Sequence, residues 1–264
     1  MKITAIVQAR VGSTRLPGKV LKKILGKTIL EYGIERIQKA KYIKNIVIAT
    51  PDKKRDLKIV KLVKKLGIDI YRGSEKDVLD RYYQAAKHFK TRHIARITSD
   101  CPIIDPQVID AVAQRYLTSK ADYCSNNLED TFPDGQDVEI FSFAALKNAW
   151  ENARLLSERE HVTPYIKKHP EKFKLASFKN KVDLSSKRWT VDEPNDFALI
   201  KAIIEALYPQ NPDFQIKDVL RFLSKNPELE KLNQNIIRNE GYLKSLKEDK
   251  IIKNGALTKA VSRS

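Results

Sequence analysis

An α/β fold with a doubly wound, mostly parallel sheet and a helical C-terminal extension is predicted for this 264-residue chain. Three observations carry that prediction. Short β-branched runs alternate with amphipathic stretches through the first half, the first run empties into a cationic glycine-containing loop, and only helical periodicity continues beyond Pro209.

Ile3, Ala5, Ile6 and Val7 read as a buried strand, and Gln8 to Lys19 (QARVGSTRLPGK) as the loop that leaves it. Ile24 to Ala40 has apolar residues at helical intervals, and Ile43 to Thr50 is the next strand. Pro51-Asp52 ends it, Leu57 to Leu66 is a lysine-rich helix stopped by Gly67, and Ile68 to Tyr71 opens a third strand. Asp77 to Phe89 reads as a helix, His93 to Thr98 as a strand, Pro106 to Leu117 as a helix and Ala121 to Ser125 as a strand. After a polar stretch with a Pro-Asp-Gly turn, Asp137 to Phe141 alternates like a strand whose acids share a face. Ala144 to Ala153 and Glu158 to Lys168 read as helices, and Lys174 to Phe178 and Arg188 to Val191 as short strands. Pro194 to Leu207 is a helix opened by proline. The spacing therefore predicts one domain over 1–208 and, over 209–264, an extension with helices at Ile216 to Leu223 and Glu228 to Lys247. The basic stretch from Lys253 to Ser264 is expected to be a disordered tail.

Charge and cysteines bound the function. The chain has 50 Lys+Arg against 33 Asp+Glu, a formal charge of +17. These cations are scattered over helix faces rather than gathered on one element, and aromatic–basic interleaving is absent. The expected partner is a small anion, not nucleic acid. Two cysteines, Cys101 and Cys124, lack paired-ligand spacing, so neither a disulfide framework nor a structural zinc site is expected. No stretch is long and apolar enough to span a bilayer, and no signal-peptide layout is visible, so no membrane partner and a cytoplasmic location are expected.

The loop fits neither standard phosphate template: Gly12 and Gly18 stand five residues apart with Val20 after Lys19, and no dinucleotide fingerprint occurs. What it offers is Arg10, Arg15 and Lys19 among Ser13, Thr14 and free backbone amides, which suits a polyanion, although a loop of solvated surface cations would look the same. Asp100 and Asp192 each follow a strand directly. Either alone is an ordinary helix N-cap, whereas together at one sheet edge they can hold a hard cation.

Those segments, with Asp134 to Glu139 (DGQDVE), Ser157 to Tyr165 (SEREHVTPY) and Thr190 to Pro194 (TVDEP), resemble the cytidylyltransferases that activate acidic sugars. These include the enzymes making CMP-Kdo and CMP-sialic acid, and the chain is most similar to the group named after a spore coat polysaccharide biosynthesis protein. The similarity spans Met1 to Leu207, and Asn239 to Tyr242 (NEGY) resembles that group's C-terminal extension. The resemblance implies a Rossmann-like nucleotidyltransferase domain of the glycosyltransferase-A-like kind over 1–208. It also implies CTP and an acidic sugar as substrates, Mg²⁺ as cofactor, a homodimer, and a place in surface polysaccharide biosynthesis.

Residue by residue, it puts the nucleotide against Ala9, Arg10, Gly12, Ser13, Arg15 and Lys19, with the cytosine against Arg72, Gly73 and Ser74. It makes Asp100 and Asp192 the metal ligands and Arg10, Lys19 and Asp100 the catalytic set. Gln136, Glu139, Glu160 and His161 fall on the sugar side. The alternatives are a nucleotidyltransferase using another NTP or a non-sugar acceptor, a catalytically silent sugar-nucleotide scaffold and, on charge alone, a basic nucleic-acid-binding protein.

Overall fold

The computed structural model describes residues 2–251. The segment Lys253 to Ser264, expected above to be a disordered tail, lies outside the described residues.

Strand β1 (Ile3–Gln8) is followed by the cationic loop, a 3₁₀ turn at Lys19–Leu21 and a two-residue hairpin, β2 (Lys23–Ile24) and β3 (Lys27–Thr28). Then come α1 (Ile29–Gln38), β4 (Ile43–Pro51), α2 (Leu57–Lys65), β5 (Asp69–Gly73), α3 (Val78–His88), β6 (His93–Thr98) and α4 (Pro106–Ser119). The second half holds β7 (Tyr123–Ser125), β8 (Glu139–Ser142), α5 (Phe143–Asn152), α6 (Leu156–His161), α7 (Pro164–Lys168), β9 (Leu175–Ser177) and α8 (Pro194–Leu207). The extension carries α9 (Ile216–Lys225), α10 (Pro227–Glu230) and α11 (Glu240–Lys247).

Seven strands form one sheet in the order β5-β4-β1-β6-β8-β7-β9, with β8 antiparallel to both neighbours and the other pairs parallel. The alternation of β1 explains the two layers of helices. Ala5 and Val7 face a core shared with Leu30 and Ile34 of α1, Ile59 of α2 and Ile109 of α4, while Ile6 faces Leu79 and Tyr82 of α3 and Leu146 of α5. Each such Val, Leu or Ile side chain contributes roughly 1.5–3 kcal/mol by leaving water. No helix among the described residues is long and apolar enough to cross a membrane.

Four expectations change. The helix expected from Ile24 starts at Ile29, because Gly26 takes a left-handed turn (φ 83°) and Thr28 forms a capping box with Glu31. Glu158 to Lys168 is two helices, interrupted at Val162 (φ 72°) before Pro164. Arg188 to Val191 makes one isolated bridge, Asp134 to Arg188, so the sheet ends at β9 instead. Glu228 to Lys247 is the short α10, an irregular stretch and then α11.

The extension is fastened to the sheet domain by buried polar contacts. The Arg36 guanidinium donates to the carbonyls of Ile104 and Phe214, both at 2.6 Å, and Asp105 accepts from Gln107 N at the start of α4 and from Ile216 N at the start of α9. Phe214, Val219 and Leu223 complete an apolar cluster with Trp189 and α8.

Candidate active site

Parallel pairing puts the carboxyl ends of β1, β4, β5 and β6 at one edge, since Gln8 is level with both Ala49 and Thr98. The cationic loop leaves from that edge. Val11 N donates to the buried Asp56 at 2.7 Å, Ser13 N and Gly18 N both return to Val11 O, and Leu16 inserts beside Trp189. Gly18 then adopts φ 69°, which turns the chain so that Lys19 points back inward.

There Lys19 Nζ donates to Asp100 Oδ2 at 2.6 Å and to Asp192 Oδ1 at 2.5 Å. Arg15 NH2 lies 3.0 Å from the other oxygen of Asp192. Burial pushes the Asp100 carboxyl up, but the Lys19 ammonium outweighs it and holds the group at about 2, so Asp100 is ionised at neutral pH. Burial also works against the Lys19 charge, yet the two carboxylates raise its pKa overall. Of the three expected loop cations Lys19 and Arg15 thus converge with Asp100 and Asp192 on one point, and Arg10 does not contact this cluster.

Asp192 reaches this point without a strand beneath it. Val191 N donates to Asp100 O at 2.9 Å, and Asp196 accepts from the backbone N–H groups of Asp192 and Glu193. Arg188 holds Asp196 with two bonds of 2.9 Å, Asp134 at 2.6 Å and Asp192 at 3.5 Å. Gly135 (φ 98°) passes so close to this segment that a Cβ would stand 2.6 Å from Trp189 C and 2.7 Å from Thr190 N. Gly135→Ala is therefore expected to displace the Asp192 segment and cost several kcal/mol, about 3 or more. Chemical denaturation checks it, and a midpoint like that of the wild type would contradict the packing described.

Arg10 is exposed at the end of β1, beside the buried Ala9. Gly12 lies against the Arg55 guanidinium, where a Cβ would come within 2.7 Å. Ser13 Oγ accepts from Leu16 N at 3.4 Å. Arg72, Gly73 and Ser74 end β5 at the same sheet edge: Gly73 O accepts from Asp52 N, Ser74 Oγ from Asp77 N, and Ser74 O from the Arg81 guanidinium. Burial lowers Arg81 to about 10, and the neighbouring charge of Arg10 acts the same way.

The four residues assigned to the sugar side separate. Gln136 is fully buried with its amide spent on the main chain, accepting from Asp105 N at 2.8 Å and donating to Ile103 O at 2.9 Å. Beyond the half-buried Asp137, Glu139 is buried as well. It accepts from Tyr123 and Thr163 hydroxyls at 2.6 Å, bonds the Arg96 guanidinium and lies 3.6 Å from Lys167. Glu160 and His161, on α6, contact the extension: Ser245 Oγ is 3.0 Å from both Glu160 Oε2 and His161 Nε2.

Burial acts to raise the Glu139 carboxyl, but Arg96 and Lys167 overcome it and hold it at about 2, against 4.5 for an ordinary glutamate. A depressed carboxyl stabilises the fold above its unfolded pKa, and that stabilisation is lost as pH falls from about 4.5 towards 2. Glu139→Gln is expected to flatten the acid limb of the stability–pH curve by on the order of 3 kcal/mol. Unchanged slopes in denaturant titrations between pH 5 and 2 would count against it.

Arg96 and Lys167 carry no local signal in the sequence, because their partner Glu139 is brought by the fold. Arg81 and Arg188, whose partners Ser74, Asp192 and Asp196 lie within eight residues, were missed although the acids after Arg188 were visible. Among the described residues no group of three or more His, Cys, Asp and Glu could hold a metal ion alone. A pair of carboxylates that already share one cation suits Mg²⁺, which uses few protein carboxylates and completes its shell with phosphate oxygens and water.

The family model described as "Cytidylyltransferase" matches residues 4–240. The spore coat polysaccharide biosynthesis protein SpsF of Bacillus subtilis is 29% identical over 242 residues, covering 86% of this chain and 95% of that protein. A 3-deoxy-manno-octulosonate cytidylyltransferase of Geobacter metallireducens is 29% identical over 180 residues, 62% of this chain and 69% of that enzyme. The solved structure of a cytidylyltransferase from Leptospira borgpetersenii superimposes with a TM-score of 0.83 at 35% identity, covering 90% of this chain and all of that one.

Proposed function

The chain belongs to the cytidylyltransferase family, and from that premise we propose that it transfers CMP from CTP to an acidic sugar of the Kdo or nonulosonate kind, releasing pyrophosphate, in surface polysaccharide biosynthesis. The observation that carries this reading is Lys19, set between Asp100 and Asp192 with Arg15 alongside, at the mouth of a loop shaped for a polyanion.

In the proposed reaction a sugar hydroxyl oxygen bonds to the α-phosphorus of CTP, the α–β bridging bond breaks, pyrophosphate leaves with its electron pair, and the hydroxyl proton is released. No covalent enzyme intermediate is required. Arg10, Arg15 and Lys19 bind and orient the triphosphate and offset the charge gathering on the leaving group, while the amides of Arg10 and Gly12 help fix its position. The backbone around Arg72, Gly73 and Ser74 takes the cytosine. Asp100 and Asp192 would hold Mg²⁺, which supplies charge neutralisation on the phosphate oxygens when bound.

An acidic acceptor is supported by the cations Arg96 and Lys167, which share the one buried carboxylate of Glu139 close to α6, with the half-exposed Glu160 as the second carboxylate there. It is also supported by the named activity of the Geobacter relative. We further propose that the active form is a homodimer and the enzyme cytoplasmic, the first testable by sedimentation in solution. The activity is tested by pyrophosphate release with each of CTP, UTP, ATP and GTP against a panel containing Kdo and N-acetylneuraminic acid. Release confined to CTP and an acidic sugar is expected. Equal release with all four nucleotides, or with a neutral acceptor only, would overturn the reading.

A further inference from the structure

The extension crosses back over the mouth of the site after α10. At the first turn of α11, Glu240 Oε2 lies 3.0 Å from Arg15 NH1, while Arg15 NH2 lies 3.0 Å from Asp192. One guanidinium therefore separates α11 from the acid pair. Tyr242 sets its ring edge-to-face on His161, with centroids 4.9 Å apart and planes at 70°. Ser245 joins Glu160 and His161 as described above. Beyond the helix, Asp249 accepts from Ser157 N at 3.0 Å and Ser157 Oγ at 2.6 Å, Leu156 N donates to Lys250 O, and Leu155 forms a bridge with Ile251. Helix α11 is thus fastened to Arg15 of the loop at its first turn and to α6 along its length and just beyond it.

The side chains gathered here differ in kind from those at the nucleotide loop. Glu160 and Glu240 are half exposed, at 48% and 52%, and offer acceptor oxygens only. Burial pushes the His161 imidazole down to about 4, so it is neutral at pH 7 and can accept or donate one hydrogen bond. Tyr242 adds an aromatic face and a hydroxyl. Carboxylates repel a triphosphate, but carboxylates, a neutral imidazole and an aromatic ring together match a molecule with many hydroxyls and an apolar C–H face.

We propose that α11 of the C-terminal extension forms the acceptor side of the active site, with Glu240 and Tyr242 joining Glu160 and His161 to bind the hydroxyl-bearing part of the sugar. This rests on the proposed nucleotidyl transfer to a sugar and adds which residues select that sugar. The nucleotide is bound by the loop and by the end of β5; α11 reaches that machinery through Glu240 on Arg15, whereas Tyr242 and Glu160 act on the sugar alone.

The test is steady-state kinetics of the full chain with Mg²⁺ and CTP, using as acceptor whichever of Kdo and N-acetylneuraminic acid the wild type turns over, for Tyr242→Ala, Tyr242→Phe and Glu160→Gln. For Tyr242→Ala and Glu160→Gln, KM for the sugar is expected to rise about tenfold while KM for CTP stays within about twofold. Tyr242→Phe, which keeps the ring, is expected to recover most of the loss. An unchanged sugar KM in an active wild-type background would overturn the inference while leaving the proposed reaction standing. A parallel rise in both KM values would assign α11 a merely structural role and overturn it too. If the wild type turns over no sugar in the panel, the proposed reaction fails first and the inference with it.

Discussion

Replacing Asp100 with alanine is expected to lower turnover roughly a hundred- to thousandfold, the range seen when one preorganised electrostatic contact to a developing charge is removed. The carboxylate stands at the end of β6, 2.6 Å from Lys19, and is ionised at neutral pH because that ammonium overcomes its burial. Its loss removes one of two hard oxygen donors and frees Lys19 to pair with Asp192 alone. The fold is expected to persist, because the Asp100 side chain is only partly buried, at 21% exposure, and Lys19 keeps its second partner. Asp100→Asn, similar in shape but uncharged, should lose nearly as much activity. The readout is kcat beside a far-UV spectrum and a thermal midpoint, and near-normal kcat for Asp100→Ala would remove Asp100 from the proposed metal pair.

The largest loss of stability is expected at Arg188. Its guanidinium is 6% exposed and binds Asp196 twice, Asp134 once and Asp192 more distantly. Asp196 is fully buried and also caps the backbone N–H groups of Asp192 and Glu193, with Asn233 of the extension donating to it at 2.9 Å. Arg188→Met leaves Asp196 and Asp134 without their paired cation, while Asp192 keeps Lys19 and Arg15. Breaking a buried ion pair from one side costs about 3–5 kcal/mol, far more than the net value of the pair, because the remaining charge stays desolvated. Urea denaturation should show the full loss, and Arg188→Lys should recover only part of it, since an ammonium cannot reproduce the fork on Asp196. A shift of less than about 1 kcal/mol would mean that the segment bearing Asp192 is held by its packing against Gly135 and Asp100 instead.

The sheet was legible in the sequence because its first four strands and the helices between them follow simple periodicities, and those strands deliver the loop and Asp100 to one edge. Periodicity failed where a local backbone device overrode it. At Gly26 and Thr28 a hairpin and a capping box delay the helix by five residues, and at Val162 a left-handed residue before Pro164 divides one helix into two. The stretch at Arg188 reads as a strand because Trp189, Thr190 and Val191 favour extended backbone. It makes only one bridge, and its role is to carry Arg188 and Asp192. Glu139 was assigned to the sugar side from the motif around it, yet Arg96, Tyr123, Thr163 and Lys167 surround it, and each lies 16 or more residues away in the chain. The contact of α11 with Arg15, across 225 residues, has no sequence signature either.

The most direct measurement of the central claim follows the label from CTP carrying ³²P at the α-phosphorus, with Mg²⁺, the full-length chain and an acidic sugar. Label is expected in a CMP-sugar, with one pyrophosphate released for each, no transfer when the metal is chelated, and loss of transfer in Asp100→Ala. Label that stays in CTP with every acidic sugar, or that passes to product undiminished in Asp100→Ala or with the metal chelated, would contradict the proposed transfer.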